Sequence, residues 1–406
     1  MMASIGAVVA VSATTIPDST WIQLSAPPHA THSPVFALAV DPNQNQTLVG
    51  GTTDGAGEIF RSTDGGSTWS TVRSATGPVL TIGFSPFKRG SVLAGLRGGG
   101  VLFSTDSGAT WSPAAGLEGR TVRALTFARA LVAAGTDRGV YTSADGANWS
   151  LSAIAGYDIQ AIAAVAVNPP IHLIAAGHAT DSPAGLVLYQ SSDAGATWQV
   201  LPTPIGSSTI ASCLVAGPLP PPPSNIRPLL VGTNAGLFGS DDNGVNFTVV
   251  TGGGGLPATD FTRAAFVTDH FDRYYASSDG GGSVAGGIWS TTDGGMHFSS
   301  LQPPQPAVTA MSVSNDESPL VYEASISTSG SVVSLWAFHD TGSRPQQPTG
   351  SPSVASGVRT TPSPAPNRSV LPGIFGSAPL LYVLLGALAL GVLAVALVAN
   401  VRAGHR

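Results

Sequence analysis

Ser62-Thr63-Asp64-Gly65-Gly66-Ser67-Thr68-Trp69 is the first of six copies of one short pattern, S/T-x-D-x-G-x-T/N-W/F. The others run from Ser104 to Trp111, Ser143 to Trp149 with one residue fewer, Ser191 to Trp198, Ser240 to Phe247 and Thr291 to Phe298. Their aspartates, Asp64, Asp106, Asp145, Asp193, Asp242 and Asp293, lie 42, 39, 48, 49 and 51 residues apart. A self-similar unit with a period of roughly 40 to 50 residues marks a propeller or a solenoid, in which each repeat buries its apolar faces only against its neighbours.

Each copy follows an apolar or alternating run, such as Glu58-Ile59-Phe60, Gly100-Val101-Leu102-Phe103 or Gly236-Leu237-Phe238, so a strand enters a tight turn there. An aspartate in such a turn accepts hydrogen bonds from backbone N–H groups two or more residues on. Glycine supplies the positive φ the turn demands, and the aromatic packs as the next strand begins. These residues resemble the Asp-box, or BNR, repeat of sialidases, sortilin-type receptors, xyloglucan hydrolases and the photosystem II assembly factor, all of them β-propellers. The resemblance implies an all-β propeller in which the box is a structural clamp on the face away from the ligand. His297 fills the Thr/Asn slot of the sixth box and is read as a structural variant of it.

The units count to seven. Each repeats an inner strand, a second strand, the strand before the box and the strand after it, and units start near Val35, Val79, Val122, Ile159, Ile210 and Phe261. A further set of three strands at Val308 to Val313, Leu320 to Ser325 and Val332 to Phe338 has no box and no fourth strand. Thr20-Trp21-Ile22-Gln23-Leu24 matches Thr197-Trp198-Gln199-Val200-Leu201, the strand after the fourth box. Residues 20–25 are therefore expected to complete the last blade, giving a seven-bladed ring over 20–340 and removing the edge an open array would expose.

Composition is consistent with this reading and limits the function. Fifty glycines, 32 prolines and only 10% charged residues suit many short strands and turns. A net charge of −6 with Lys88 the only lysine speaks against a nucleic-acid partner, which needs clustered cations. Cys213, the single cysteine, lies in the apolar stretch Ile210 to Val215 and reads as a small buried hydrophobe. Beyond the propeller, residues 341–373 are rich in Pro, Ser, Thr and Gly and read as a stalk. A transmembrane helix is expected at 378–401: Leu380 to Val401 carry no charge, and at about 1.5 Å per residue they cross a hydrocarbon core of about 30 Å. Arg402 and Arg406 in the short tail 402–406 place the C-terminus in the cytoplasm and the propeller outside, as a single-pass plasma-membrane protein. Residues 1–13 read as an atypical signal segment, with Val11-Ser12-Ala13 as a cleavage site but no basic residue ahead of it. Leu371-Pro372-Gly373 lacks the Thr-Gly that a sortase signal needs, because Ile374-Phe375 follow.

The loops opposite the boxes carry the candidate ligand residues. Arg73, Arg97, Arg120, Arg123 and Arg138 fall in consecutive early units, and with Asp137, Asp158 and Asp181 they define a possible face for carboxylates or phosphates. Asp54, Glu118, Tyr157, His178, Asp260 and Asp279 share that face. A sialidase would need an Arg-Ile-Pro motif, an arginine triad and a Tyr–Glu pair; Thr15-Ile16-Pro17 lacks the arginine, and Glu58, Glu118, Glu317 and Glu323 are the only glutamates. Nucleophile elbow, phosphate loop, HExxH and CxxC patterns are absent, so neither a cofactor nor a metal is expected. The expectation is a membrane-anchored extracytoplasmic scaffold for a protein or glycan, with an anchored glycoside hydrolase of sialidase-like or xyloglucanase-like type as the alternative.

Overall fold

A computed structural model describes residues 16–342 of the chain, apart from 29, 31–32, 181, 204, 207–208, 225, 258, 281–283 and 328–332. The segments read as signal, membrane helix and tail, and the stalk beyond its first two residues, lie outside the described residues. Among those described, no helix is long and apolar enough to cross a membrane.

Twenty-eight strands form seven four-stranded antiparallel sheets. Strand β1 (Trp21–Gln23) precedes blade 1, which is β2 (Val35–Asp41), β3 (Gln44–Thr52), β4 (Glu58–Ser62) and β5 (Ser70–Ser74). Blade 2 is β6 (Val79–Phe84), β7 (Val92–Leu96), β8 (Gly100–Ser104) and β9 (Ser112–Pro113). Blade 3 is β10 (Val122–Phe127), β11 (Val132–Thr136), β12 (Gly139–Ser143) and β13 (Ser150–Ala155). Blade 4 is β14 (Tyr157–Ala166), β15 (His172–Ala179), β16 (Ser182–Ser191) and β17 (Gln199–Leu201). Blade 5 is β18 (Ala211–Ala216), β19 (Leu229–Thr233), β20 (Gly236–Ser240) and β21 (Thr248–Val249). Blade 6 is β22 (Arg263–Val267), β23 (His270–Ser278), β24 (Gly287–Thr291) and β25 (Ser299–Ser300). Blade 7 joins β26 (Val308–Val313), β27 (Leu320–Ile326) and β28 (Val333–His339) to β1 in the order β1-β28-β27-β26. The fold is an all-β seven-bladed propeller.

The burial pattern follows from this stacking. An inner strand such as β2 is covered by a neighbouring blade on each side, so Val-Phe-Ala-Leu-Ala-Val is an unbroken apolar run rather than an alternation. Outer strands such as β9, β21 and β25 lie at the rim and are exposed. The buried apolar side chains fall into seven clusters, one between each pair of adjacent blades, including the pair that closes the ring.

All six boxes form the same hydrogen-bonded turn. Ser62 Oγ donates to Asp64 Oδ1 at 2.8 Å and accepts from the Gly66 N–H at 2.8 Å. Asp64 accepts from the Thr68 N–H at 2.9 Å and from its hydroxyl at 2.6 Å. Thr110 and Thr197 repeat the last bond, and Asn148, Asn246 and His297 supply it with a side-chain nitrogen instead. Gly66 and Gly108 have φ of 87° and 82°, and a Cβ at either would collide with the preceding blade, at Leu24 and Val49 respectively. The box aromatics enter these seams: Trp111 packs between blades 1 and 2, Trp149 between 2 and 3, Phe247 between 4 and 5.

Ring closure uses the same kind of contact. Trp21, Ile22 and Gln23 pair with Phe338, Ala337 and Trp336. The Trp21 indole N–H donates to the Leu301 carbonyl of blade 6 at 2.7 Å, and its ring lies 5.0 Å from that of Phe338. Nearby, Glu323 on β27 is fully buried with one carboxyl oxygen lacking a partner. Burial pushes its pKa well above the usual glutamate value.

Two expectations follow. Trp21→Ala should destabilise the propeller by about 3–5 kcal/mol in urea, whereas Ile22→Ala, which is half-buried, should cost less; equal losses would argue against Trp21 as the closing anchor. The box carboxyls ionise more readily folded than unfolded. In Asp106, burial works upwards, but hydrogen bonds from Thr110, Ser104 and Ala109 outweigh it and hold the group at about 2, against an ordinary 3.8. In Asp193 the Thr197 hydroxyl, and in Asp293 the His297 N–H, lead to the same value of about 2. Stability from these groups is present above the unfolded pKa and lost as pH falls through the folded one. Acid unfolding followed by circular dichroism should therefore concentrate between about pH 4 and pH 2, with a flatter profile for Asp106→Asn.

Candidate functional site

The arginines named from the sequence divide among different environments. Arg123, on inner strand β10, grips Asp158 on β14 through Nε–Oδ1 and Nη2–Oδ2 contacts of 2.6 and 2.9 Å, a half-buried bidentate pair joining blades 3 and 4. His178 Nε2 stands 3.9 Å from the same carboxylate. Arg120 and Asp137 face each other at 3.8 Å, and Asp137 also accepts from the Thr121 N–H. Arg97 and Arg138 are exposed in the turns after β7 and β11, while Arg73 on rim strand β5 has a buried Nε without a hydrogen-bond partner. Asp181 lies outside the described residues. A cavity of about 330 Å³ on blade 1, lined by Ser33, Asp54, Glu58 and Ser74 among others, borders none of these arginines.

A second charged group sits at blade 6. Asp260 accepts from the hydroxyls of Thr259 and Ser278 at 3.1 and 3.2 Å. Beside it, burial and then the hydrogen bond and charge of Asp260 push Asp279 up to about 6 from an ordinary 3.8, with Arg263 pulling weakly the other way. Arg263 is tied down by carbonyls, donating to Thr262 and, across to blade 1, to Phe36 at 2.7 Å.

Concave space gathers instead on the box side, around blade 5. A cavity of about 450 Å³ opens between blades 4 and 5, lined by His172, Gln190, Gln199, Leu219, Arg227 and Asn243 among others. One of about 610 Å³ opens between blades 5 and 6, where Ile226, Val249, Phe271 and Met296 contribute apolar surface and Asp241 and Asp293 contribute charge. A third, of about 400 Å³, is lined by residues at the ends of the inner strands and shares Val167 and Arg227 with the first and Phe266 with the second. Residues 217–228, which join β18 to β19, supply lining residues to all three. Of the nine large apolar side chains exposed among the described residues, Leu219, Ile226, Val249, Phe271 and Met296 line these cavities, so the exposed apolar surface is concentrated here.

Arg227 lines the first and the third cavity. Its Nη1 donates to the Gly217 carbonyl at 2.6 Å and its backbone N–H to Asn243 Oδ1 at 2.7 Å, but its Nε is buried without a partner. Burial lowers its pKa, and no acid pairs with it among the described residues. The sequence reading did not single out this sector. The available signal was Pro218-Leu219-Pro220-Pro221-Pro222-Pro223, a rigid run inside a unit whose counterparts turn with few residues.

The sequence matches no protein-family model and no curated protein. Its fold recurs among solved structures. YCF48 from Cyanidioschyzon merolae superposes with a TM-score of 0.50 at 16% identity, over 79% of this chain and 98% of that one. The structure of YCF48 bound to D1 peptide gives 0.50 and 16%, over 83% and 100%. An ancestral GH74 enzyme gives 0.48 and 16% over 76% of this chain; the match spans 54%, about half, of that longer chain. The two likenesses at a TM-score of 0.50 show the propeller fold alone.

The Asp260–Asp279 pair carries its own prediction. A carboxyl whose pKa rises on folding withdraws stability as pH climbs from the unfolded value of 3.8 to the folded value of about 6. Asp279→Asn should therefore gain in melting temperature over the parent across that interval and hold a constant lead above it. A lead that is already complete at about pH 4 would mean that neither burial nor Asp260 raises the Asp279 carboxyl.

Proposed function

We propose that the chain is an Asp-box propeller held outside the plasma membrane by a single C-terminal span, and that it serves as a docking scaffold for a protein partner. The observation that carries this reading is the box-side groove, where two cavities and the clustered exposed apolar side chains meet at one rigid sector. Leu380 to Val401, uncharged and followed by Arg402 and Arg406, support the anchor, and residues 341–373 supply reach from the membrane. A propeller of comparable shape in complex with a peptide lends support by analogy of fold.

The glycosidase reading has one observation in its favour, an aspartate raised to about 6 that would suit a general acid. After burial, it is raised by Asp260 acting as a hydrogen-bonding neighbour, whereas glycosidic chemistry places the two carboxyls about 5–10 Å apart with the sugar bond between them. Docking is therefore the preferred reading.

A photo-crosslinking amino acid at Val249 or Met296 tests it in intact cells. Both positions should trap one discrete protein, recovered in the membrane fraction, while Arg97 on the opposite face should trap none. Trapping from Arg97 alone would move the docking surface to the other face, and adducts recovered only as soluble species would remove the anchor.

A further inference from the structure

We infer that the groove's occupant is a peptide segment that presents one carboxylate to Arg227 and apolar side chains to the cavity between blades 5 and 6; this rests on the docking reading above. A guanidinium offers five donors, and a partly desolvated cation without a counter-ion is costly to keep. Arg227 borders two of the cavities, has a buried Nε that nothing accepts from, and finds only carbonyl and amide oxygens nearby. A carboxylate entering from the cavity would satisfy it with a charge-assisted pair.

The site is built before anything binds. The loop that carries Arg227 is pinned at its base by a Gly217 N–H to Pro228 carbonyl bond of 2.8 Å, and a Cβ on Gly217 would strike Pro228 and Phe266 at under 3 Å. Ile226, Val249 and Met296 then give the occupant's side chains an apolar lodging beside the charge. Residues 248–251, from the outermost strand of blade 5 onward, line the cavity.

These features select the class of partner. A glycan has no apolar side chains to fill the surface at Val249 and Met296. An anionic membrane surface is opposed by Asp241 and Asp293 in the same cavity and by the net charge of −6. A peptide with a single anionic end and a neutral or basic continuation toward Asp241 meets both conditions.

The test uses the full chain purified in detergent and a decapeptide array in which every sequence appears as free C-terminal acid, C-terminal amide, internal Glu and internal Gln. Peptides with apolar residues beside the anion should bind about tenfold tighter than their neutral counterparts in anisotropy titrations. The acid and Glu arms distinguish a chain terminus from a side chain as the source of the carboxylate. The advantage should vanish in Arg227→Gln and partly return in Arg227→Lys, with melting temperature verifying the fold of each. Val249→Asp with Met296→Asp should weaken every form. An acid advantage that persists in Arg227→Gln overturns the inference, as does an array on which nothing binds. Binding that ignores the carboxylate yet fails in Val249→Asp/Met296→Asp removes this inference while leaving the groove as a docking site. Binding indifferent to all these substitutions removes both.

Discussion

A blade of four short strands cannot bury its two faces alone, so everything in this fold depends on the wedge driven between adjacent blades. The wedge is the aromatic that leaves each box, and the turn exists to aim it. In box 2, Asp106 ties the Thr110 N–H and hydroxyl to itself while Ser104 holds the Gly108 N–H, and the Trp111 indole then donates back to the Gly108 carbonyl at 2.9 Å. The same turn reaches sideways: Arg61 of blade 1 donates to the Ser107 carbonyl at 2.8 Å, and Ser107 Oγ donates to Asp41 at 2.9 Å. Each box therefore fastens its own blade to the preceding one. Six boxes serve six seams, and the seventh is closed by Trp21, which reaches the Leu301 carbonyl because it has no box glycine of its own.

What the sequence disclosed and what it hid follow from this arrangement. The period, the inner-strand runs and the lone Thr20-Trp21 strand were legible because each is a local pattern copied along the chain. The pairing of Arg123 with Asp158 was not, since those residues are 35 apart and meet only when two inner strands pack side by side. Nor was the burial of Glu323, a lone acid in a strand whose residues 321–325 are all buried. The groove was hidden for a different reason: it is made by departures from the repeat, namely the proline-rich loop at 217–228 and the exposed Val249 and Met296.

The acids of this chain pull stability in opposite directions. Box carboxylates sit among donors and are held low, so they favour the fold only once ionised. Glu323 and Asp279 sit among apolar or acidic neighbours and are held high, so they favour it only while protonated. Between the box carboxylates and Asp279 this leaves a window between about pH 4 and 6 in which the first are charged and the second is not yet fully so. At mildly acidic pH the fold loses nothing from the clamps and gains at the blade 6 acid.

The boxes need not be only clamps. Their pattern alternates fixed positions, which make the turn, with free ones, which the turn pushes outward. In boxes 4, 5 and 6 the free positions Ser192, Asp241, Asn243 and Met296 line the two cavities flanking the proline-rich loop, while Asn243 also holds the Arg227 N–H. A turn rigid enough to wedge two blades apart is also a rigid mount for the side chains between its fixed positions. In boxes 4 and 5 the serine–aspartate–threonine or –asparagine bonds that hold the turn leave the side chains of Ser192, Asp241 and Asn243 outside them, whereas in box 2 the free position Ser107 is itself tied to blade 1. The same six motifs that specify the ring can in this way carry its specificity, and blade 5 is where the two uses coincide.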